Sequence, residues 1–348
     1  MLGRLSPIRL VVLSCVFSLV LAEVVLRLLG TQLTFVEEKG NGYQSSFGIT
    51  SDSHYCIYEP YLNHRHTNQD FSYAISANKH GFVGSTPTEK KTRFRIAVLG
   101  DSFTEGVGAL SPDSSYPALL ENLLAAQYPN LNAEVLNFGV GGSDVVFETR
   151  YLIDSMAQFA PDLVLMTYNN SDLTDIIQWG GVERFHTDGT THARQLPWWS
   201  WFFQHLHLVR ILVSNGLGYD EELLMHSETV TKEFAHAEDV MIESVVEADT
   251  YSKQIGAKFM VVLMPFANDL VSEKKKKEQT FSRLEARIHS KNIACTNLFY
   301  PMSQVINESS LPQYSWWKYD GHYKHTGYLL VAQRVASSPE LKAALMVQ

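Results

Sequence analysis

The chain is poor in cysteine: three residues in 348, at positions 15, 56 and 295. No disulfide framework is possible. Cys15 lies inside an apolar run, so the one distant pair left is Cys56 and Cys295, which an oxidising compartment would either bridge or leave as separate thiols. An excess of positive charge is also missing. The formal net charge is −9, which gives no basic footprint for nucleic acid. The run Lys274-Lys275-Lys276-Lys277 sits in a polar stretch that opens a helix and reads as a solvated face. No P-loop is present, and no GxGxxG follows a strand, so phosphate and dinucleotide binding have no support. His64-x-His66 and His205-x-His207 have ligand-like spacing, but no Cys, Asp or Glu cluster completes either pair. Neither a metal nor a cofactor is expected.

Long apolar runs are absent except at the N-terminus. Arg4 and Arg9 precede the run 10–22, followed by Glu23, Val24-Val25-Leu26, Arg27 and Leu28-Leu29-Gly30. A helix needs ~20 residues to cross the hydrocarbon core. The stretch 8–29 reaches that length when Glu23 and Arg27, four apart on one helical face, lie at the outer interface. No small-residue cleavage site with a clear polar boundary follows Ala22. Residues 1–30 therefore read as a signal anchor rather than a cleaved signal, with the basic side cytoplasmic and the remainder exported.

Residues 31–75 are polar, rich in Tyr, His, Asn and Ser, and without a clear period; they read as a stem or a wrap on the following domain. From 76 to 348 strands and helices alternate. Strands are predicted over 94–99, 133–138, 163–168, 258–264 and 293–298, and helices over 115–128, 145–159, 229–255, 278–289 and 325–336. This alternation predicts an α/β domain with a central parallel sheet covered on both faces. Such sheets bind ligands beyond the carboxyl ends of their strands. An insertion at 173–228 breaks the rhythm. It contains Pro197-Trp198-Trp199-Ser200-Trp201-Phe202-Phe203, which fits core packing, a substrate groove or a membrane interface.

Two short motifs carry chemistry. The strand Arg95-Ile96-Ala97-Val98-Leu99 runs into Gly100-Asp101-Ser102, a tight turn that presents a hydroxyl. Near the C-terminus, Asp320-Gly321-His322 places an acid beside an imidazole. A serine hydroxyl becomes a useful nucleophile when an imidazole takes its proton and a carboxylate fixes the imidazole tautomer.

These blocks resemble the SGNH (GDSL-type) hydrolases. Gly100-Asp101-Ser102 looks like block I, Asn137-Phe138-Gly139-Val140-Gly141-Gly142 like block II, and Pro161-Asp162-Leu163-Val164-Leu165-Met166 leads into block III. Asp320-x-His322 looks like the shortened block V of the polysaccharide O-acetyltransferase-like branches. The likeness covers roughly residues 75–335. It implies a three-layer α/β/α flavodoxin-like fold, with Ser102 as nucleophile, His322 as general base and Asp320 as its partner. His322 rather than His325 is implied because Gly327 follows it by five residues. The Ser102 and Gly142 N–H groups are implied as oxyanion donors, while Gly139 and Gly141 shape the turn and Asn137 bonds loop backbone. Block III departs from the family, which has an Asn-Asp pair after the strand. In Tyr168-Asn169-Asn170-Ser171-Asp172, an ungapped alignment puts Ser171 at the Asn position, and a one-residue shift puts Asn170 there.

The expected activity is serine-dependent hydrolysis or transfer of an acyl, such as acetyl, group on a small molecule or a cell-surface glycan. The departure in block III leaves open a non-catalytic glycan- or acyl-binding protein that kept the fold. The expected partners are that acylated substrate and, through the N-terminal helix, a membrane; nucleic acid is not among them.

Overall fold

The computed structural model describes residues 6–29, 58–186, 191, 193–316, 318 and 320–346. Arg4, most of the expected stem and Cys56 lie outside the described residues. The elements run in chain order as α1 (Pro7–Leu28), β1 (Asn63–Thr67), β2 (Ser72–Ser76), β3 (Phe94–Gly100), α2 (Ser102–Glu105), α3 (Tyr116–Gln127) and β4 (Ala133–Gly139). Next come α4 (Val145–Asp154), β5 (Leu163–Tyr168), α5 (Asp172–Trp179), α6 (Ser200–His205), α7 (His207–Ile211) and α8 (Ser227–Gln254). The chain closes with β6 (Lys258–Leu263), α9 (Lys274–His289), β7 (Ala294–Asn297), α10 (Phe299–Ser303), α11 (Leu311–Tyr314), α12 (His325–Ser337) and α13 (Pro339–Met346).

Two compact units form: residues 1–39 with 194–236, and residues 40–193 with 237–348. The larger unit is α/β, built on a five-stranded parallel sheet of order β4-β3-β5-β6-β7. A sheet covered on both faces requires strands that are apolar throughout, and every residue of β4 and β5 is buried. The charged exceptions are paired. Arg95 on β3 donates to Glu134 on β4 at 2.7 Å, both buried. From β3 the chain steps one way to β4 through α3, then returns past β3 to β5 through α4. Right-handed crossovers in opposite directions put α3 and α4 on opposite faces. Accordingly α3 packs with α12, while α4 lies against β3 and β5. The reversal makes the carboxyl ends of β3, β4 and β5 a topological switch point.

Three local expectations shift. The helix expected over 145–159 ends at Asp154, where Ser155 leaves helical geometry (φ −132°), and a 3₁₀ turn, Met156–Phe159, follows. The lysine run belongs to α9 as its first turn, with Lys277 Nζ 3.3 Å from Asp269 Oδ1. Residues 63–76, read as aperiodic, form the antiparallel hairpin β1–β2. Its strands are five residues each and only Tyr73 and Ile75 of β2 are buried, too short a pattern to stand out. The Asn68 side chain shapes its turn by accepting from the Asp70 and Phe71 N–H groups, both at 2.9 Å.

The smaller unit joins α1 to part of the insertion. Ser6 caps α1, and Pro7 stands where an N–H is not needed. Phe203, Val213 and Leu224 form a small core, with Leu196, Trp199, Val209 and Tyr219 packed around it.

Candidate active site

Ser102 opens the one-turn helix α2 at the end of β3. Asp101 caps that turn, its Oδ1 accepting the Phe103 N–H at 3.0 Å. The half-buried Ser102 Oγ lies 2.7 Å from His322 Nε2, a contact across 220 residues of chain. His322 Nδ1 lies 2.5 Å from Asp320 Oδ1, which also accepts the His322 backbone N–H at 3.1 Å. The structure thus brings Ser102, His322 and Asp320 into one hydrogen-bonded line.

The line is held from outside by the hairpin and from beneath by an aromatic ring. Asn68 donates to Asp320 Oδ2 at 2.8 Å, and the Asp320 N–H donates to Asp70 Oδ2 at 3.0 Å. Phe103 stacks on the imidazole with centroids 4.5 Å apart. Burial works against the Asp320 charge, but the hydrogen bonds and charge of His322 outweigh it and hold the carboxyl below its ordinary value. Asp320 therefore stays a carboxylate and accepts the Nδ1 proton. His325 begins α12 and makes no hydrogen bond to Ser102 among the described residues.

Gly142 sits in the turn after β4 at φ +76°, a region that suits glycine. A Cβ there would meet nothing within 4 Å, so the requirement is conformational rather than steric. The N–H groups of Ser102 and Gly142 find no acceptor among the described residues. The neighbouring Gly141 N–H is held by Glu105 Oε2 at 2.8 Å, and Tyr58 donates to Glu105 Oε1 at 2.8 Å. Asn137 donates to the Glu105 carbonyl at 3.3 Å and accepts the Gly139 N–H at 3.0 Å, a loop-bonding arrangement.

After β5, Asn169 is fully buried and donates to Asp101 Oδ2 at 2.5 Å. Its Oδ1 accepts both the Ser171 N–H, at 2.9 Å, and the Ser171 hydroxyl, at 2.7 Å. The Ser171 proton is thereby committed to Asn169, with Asp101 Oδ2 a longer alternative at 3.4 Å. Asn170 is half-buried and makes no side-chain hydrogen bond among the described residues. The sequence reading weighed Asn170 and Ser171 and did not single out Asn169. Its signal was its place directly after a wholly buried strand, where a polar side chain must find partners.

Several buried carboxyls lie behind the nucleophile. Burial first, and then one another's charges, push Glu148 and Asp172 well above ordinary values. Asp101 is also raised by burial, despite the Asn169 amide. Asp144, in the same buried region, makes a bidentate pair with buried Arg184, at 2.5 and 2.8 Å. Glu105 is pushed up to about 7 by burial, only partly offset by Tyr58 and the Gly141 N–H. An acid raised in this way holds a proton in the folded state that the unfolded chain releases from about 4.5 upwards. Its contribution to stability is full in acid and is lost as pH rises through 7. Glu105→Gln removes that term. Its stability relative to the native chain should improve by up to about 3 kcal/mol between about pH 5 and pH 8. Calorimetric melting of both proteins checks this; a pH-independent difference means that Glu105 ionises normally.

Residues 98–208 match the family model of the GDSL-like lipase/acylhydrolases. The matched stretch takes in the end of β3 and all of β4 and β5 of the parallel five-stranded sheet, and an apolar helix precedes it in the chain. No curated protein matches the chain. Among solved structures, a two-domain esterase active on acetylated mannans is 14% identical, with a TM-score of 0.43 over 72% of this chain and 50% of its own. The chain thus spans half the length of that esterase. An α/β hydrolase from the metagenome of Lake Arreo, Spain, is 14% identical, with a TM-score of 0.43 over 72% of this chain and 94% of its own. An acetylxylan esterase from Geobacillus stearothermophilus is 15% identical, with a TM-score of 0.42 over 75% and 98%.

Proposed function

We propose that the chain is a membrane-anchored serine ester hydrolase that removes an acyl group from an O-acylated substrate. The observation that carries this is the continuous line from Ser102 Oγ through the His322 ring to Asp320, at 2.7 and 2.5 Å. Ser102 Oγ attacks the acyl carbonyl carbon while its proton passes to His322 Nε2. Asp320 holds the Nδ1–H and stabilises the imidazolium. The negative oxygen of the tetrahedral intermediate takes the Ser102 and Gly142 N–H groups. Collapse breaks the bond to the alcohol oxygen, which leaves with the Nε2 proton, and Ser102 is acylated. Water then gives a proton to Nε2 as it attacks the acyl carbon; the bond to Ser102 Oγ breaks, Oγ takes the proton back from Nε2, and the acid is released. If a sugar hydroxyl takes the place of water, the same steps transfer the acyl group. The Asp-x-His resemblance favours a short acyl group on a surface glycan as substrate.

Asn169 supplies the third oxyanion donor in this proposal. One N–H of its amide is committed to Asp101; the side chain is fully buried, so in this proposal a small shift of the 169–171 turn on substrate binding brings the other N–H to the oxyanion. Asn169→Ala should lower kcat by about 10²–10³ with little change in KM, since the donor acts in the transition state. Ser171→Ala should cost less, by loosening the amide it bonds, and Asn170→Ala least. A larger kcat loss in either of the last two would return the role to Ser171 or Asn170.

The test of the activity is turnover of p-nitrophenyl acetate by the purified full chain, with a fluorophosphonate adduct mapped by mass spectrometry. An adduct on Ser102 supports the proposal. A chain that neither turns over ester nor takes the probe is a binding protein instead.

The anchor is α1, which is long and apolar enough to cross a membrane. Glu23 and Arg27 pair at 2.8 Å near its C-terminal end, as their spacing allows. With Arg9 on the cytoplasmic side, the remaining chain is exported.

A further inference from the structure

The insertion segment 198–217 has two apolar faces and uses only one of them for its own core. Trp199 and Phe203, four apart, turn inward to the cluster with Val213 and Leu224. Trp198, Trp201 and Phe202 have the same helical spacing on the other side and are exposed, Trp198 by 84% and Trp201 by 54%. Ile211, Leu212 and Leu217 of the same segment are exposed as well, Leu212 by 57%. A short helix apolar on both sides normally has apolar surroundings on both. The stretch from Arg194 to Tyr219 also contains no Asp or Glu.

This surface is continuous with α1. Glu23 accepts the His207 and Leu208 N–H groups at 3.2 and 3.0 Å, capping the start of α7, and Arg27 donates to the His205 carbonyl at 2.8 Å. Ala22, Glu23 and Leu26 form the half-buried face of α1, whereas every residue from Pro7 to Leu21 is exposed. The polar groups at the end of α1 are thus absorbed by the insertion, and its apolar length is left bare.

We propose that residues 198–217 form a membrane collar: their exposed aromatic and aliphatic side chains enter the outer headgroup and acyl boundary around the point where α1 leaves the bilayer. The proposal rests on α1 spanning the membrane. The lengths agree with it. The bare part of α1 is about 22 Å long at 1.5 Å per residue, shorter than the ~30 Å hydrocarbon core. Interfacial elements sink ~5–10 Å into the boundary, which supplies the missing depth. Tryptophan suits that layer because its ring is apolar and its N–H is polar.

The test uses the full chain in phosphatidylcholine–phosphatidylglycerol vesicles, with bromine placed either high or deep on the acyl chains as a tryptophan quencher. Highly placed bromine should quench the emission more than deep bromine. Trp198→Phe/Trp201→Phe should lose that quenching while keeping ester turnover and carbonate-resistant membrane binding. If the native chain resists carbonate extraction but shows no bromine quenching, or the double variant keeps it in full, the collar is overturned and the anchor stands. Emission that is insensitive to bromine but shifts with the protein-to-lipid ratio overturns the collar in favour of a second copy on this face. Release of the native chain by carbonate overturns the anchor and the collar together.

Discussion

Ser102→Ala should lower ester turnover by roughly 10⁵–10⁶-fold, to the level given by binding and the oxyanion donors alone. The variant should also lose all fluorophosphonate labelling. The fold should survive, because among the described residues the hydroxyl makes a single hydrogen bond, to His322 Nε2. Asp101 caps α2 and Gly106 closes it through the Ser102 carbonyl, and neither contact involves the Ser102 side chain. A lost hydrogen bond at a half-buried site costs about 1 kcal/mol. Circular dichroism and melting would therefore match the native chain while activity vanishes. Residual labelling at the native rate would place the nucleophile elsewhere.

What the sequence discloses about this site depends on how local each relationship is. The strand before Ser102 is visible because β3 is apolar almost throughout, and the Asp320–His322 pair because its two members are two residues apart. The spacing of Gly327 from His322 has a steric origin. A Cβ on Gly327 would collide with the Tyr314 carbonyl and the Tyr323 ring, so the first turn of α12 packs against the end of α11 and the loop between them only with glycine there. Asn68 bonds Asp320 across 252 residues, and Tyr58 reaches Glu105 from outside the sheet. No period or motif marks such residues; tertiary packing alone assigns them. Asn169 is an intermediate case. Its position after β5 was legible, but nothing in the sequence marks its bond to Asp101, which forms only when the ends of β3 and β5 are brought side by side. The strand order was not legible either, because alternating strands and helices state that a parallel sheet exists without stating where the chain reverses.

His322→Ala should lower turnover by several orders of magnitude, approaching the Ser102→Ala value, since nucleophile and base act as one unit and their losses do not add. Asp320→Asn should cost on the order of 10⁴, because an amide in place of the carboxylate no longer fixes the Nδ1–H tautomer. His325→Ala should change turnover little, since its ring has no bond to the nucleophile among the described residues. The slot left by the His322 ring is lined by Phe103, which stacks on it at 4.5 Å. Free imidazole should therefore restore part of the activity of His322→Ala and none of that of Ser102→Ala. Rescue requires neutral imidazole to take the serine proton, so it should grow as pH rises through the imidazole range. If His325→Ala loses as much activity as His322→Ala, or imidazole rescues only the His325 variant, the base has been misassigned. The hydrogen-bonded line from Ser102 to Asp320 would then be a structural contact rather than the path of the proton.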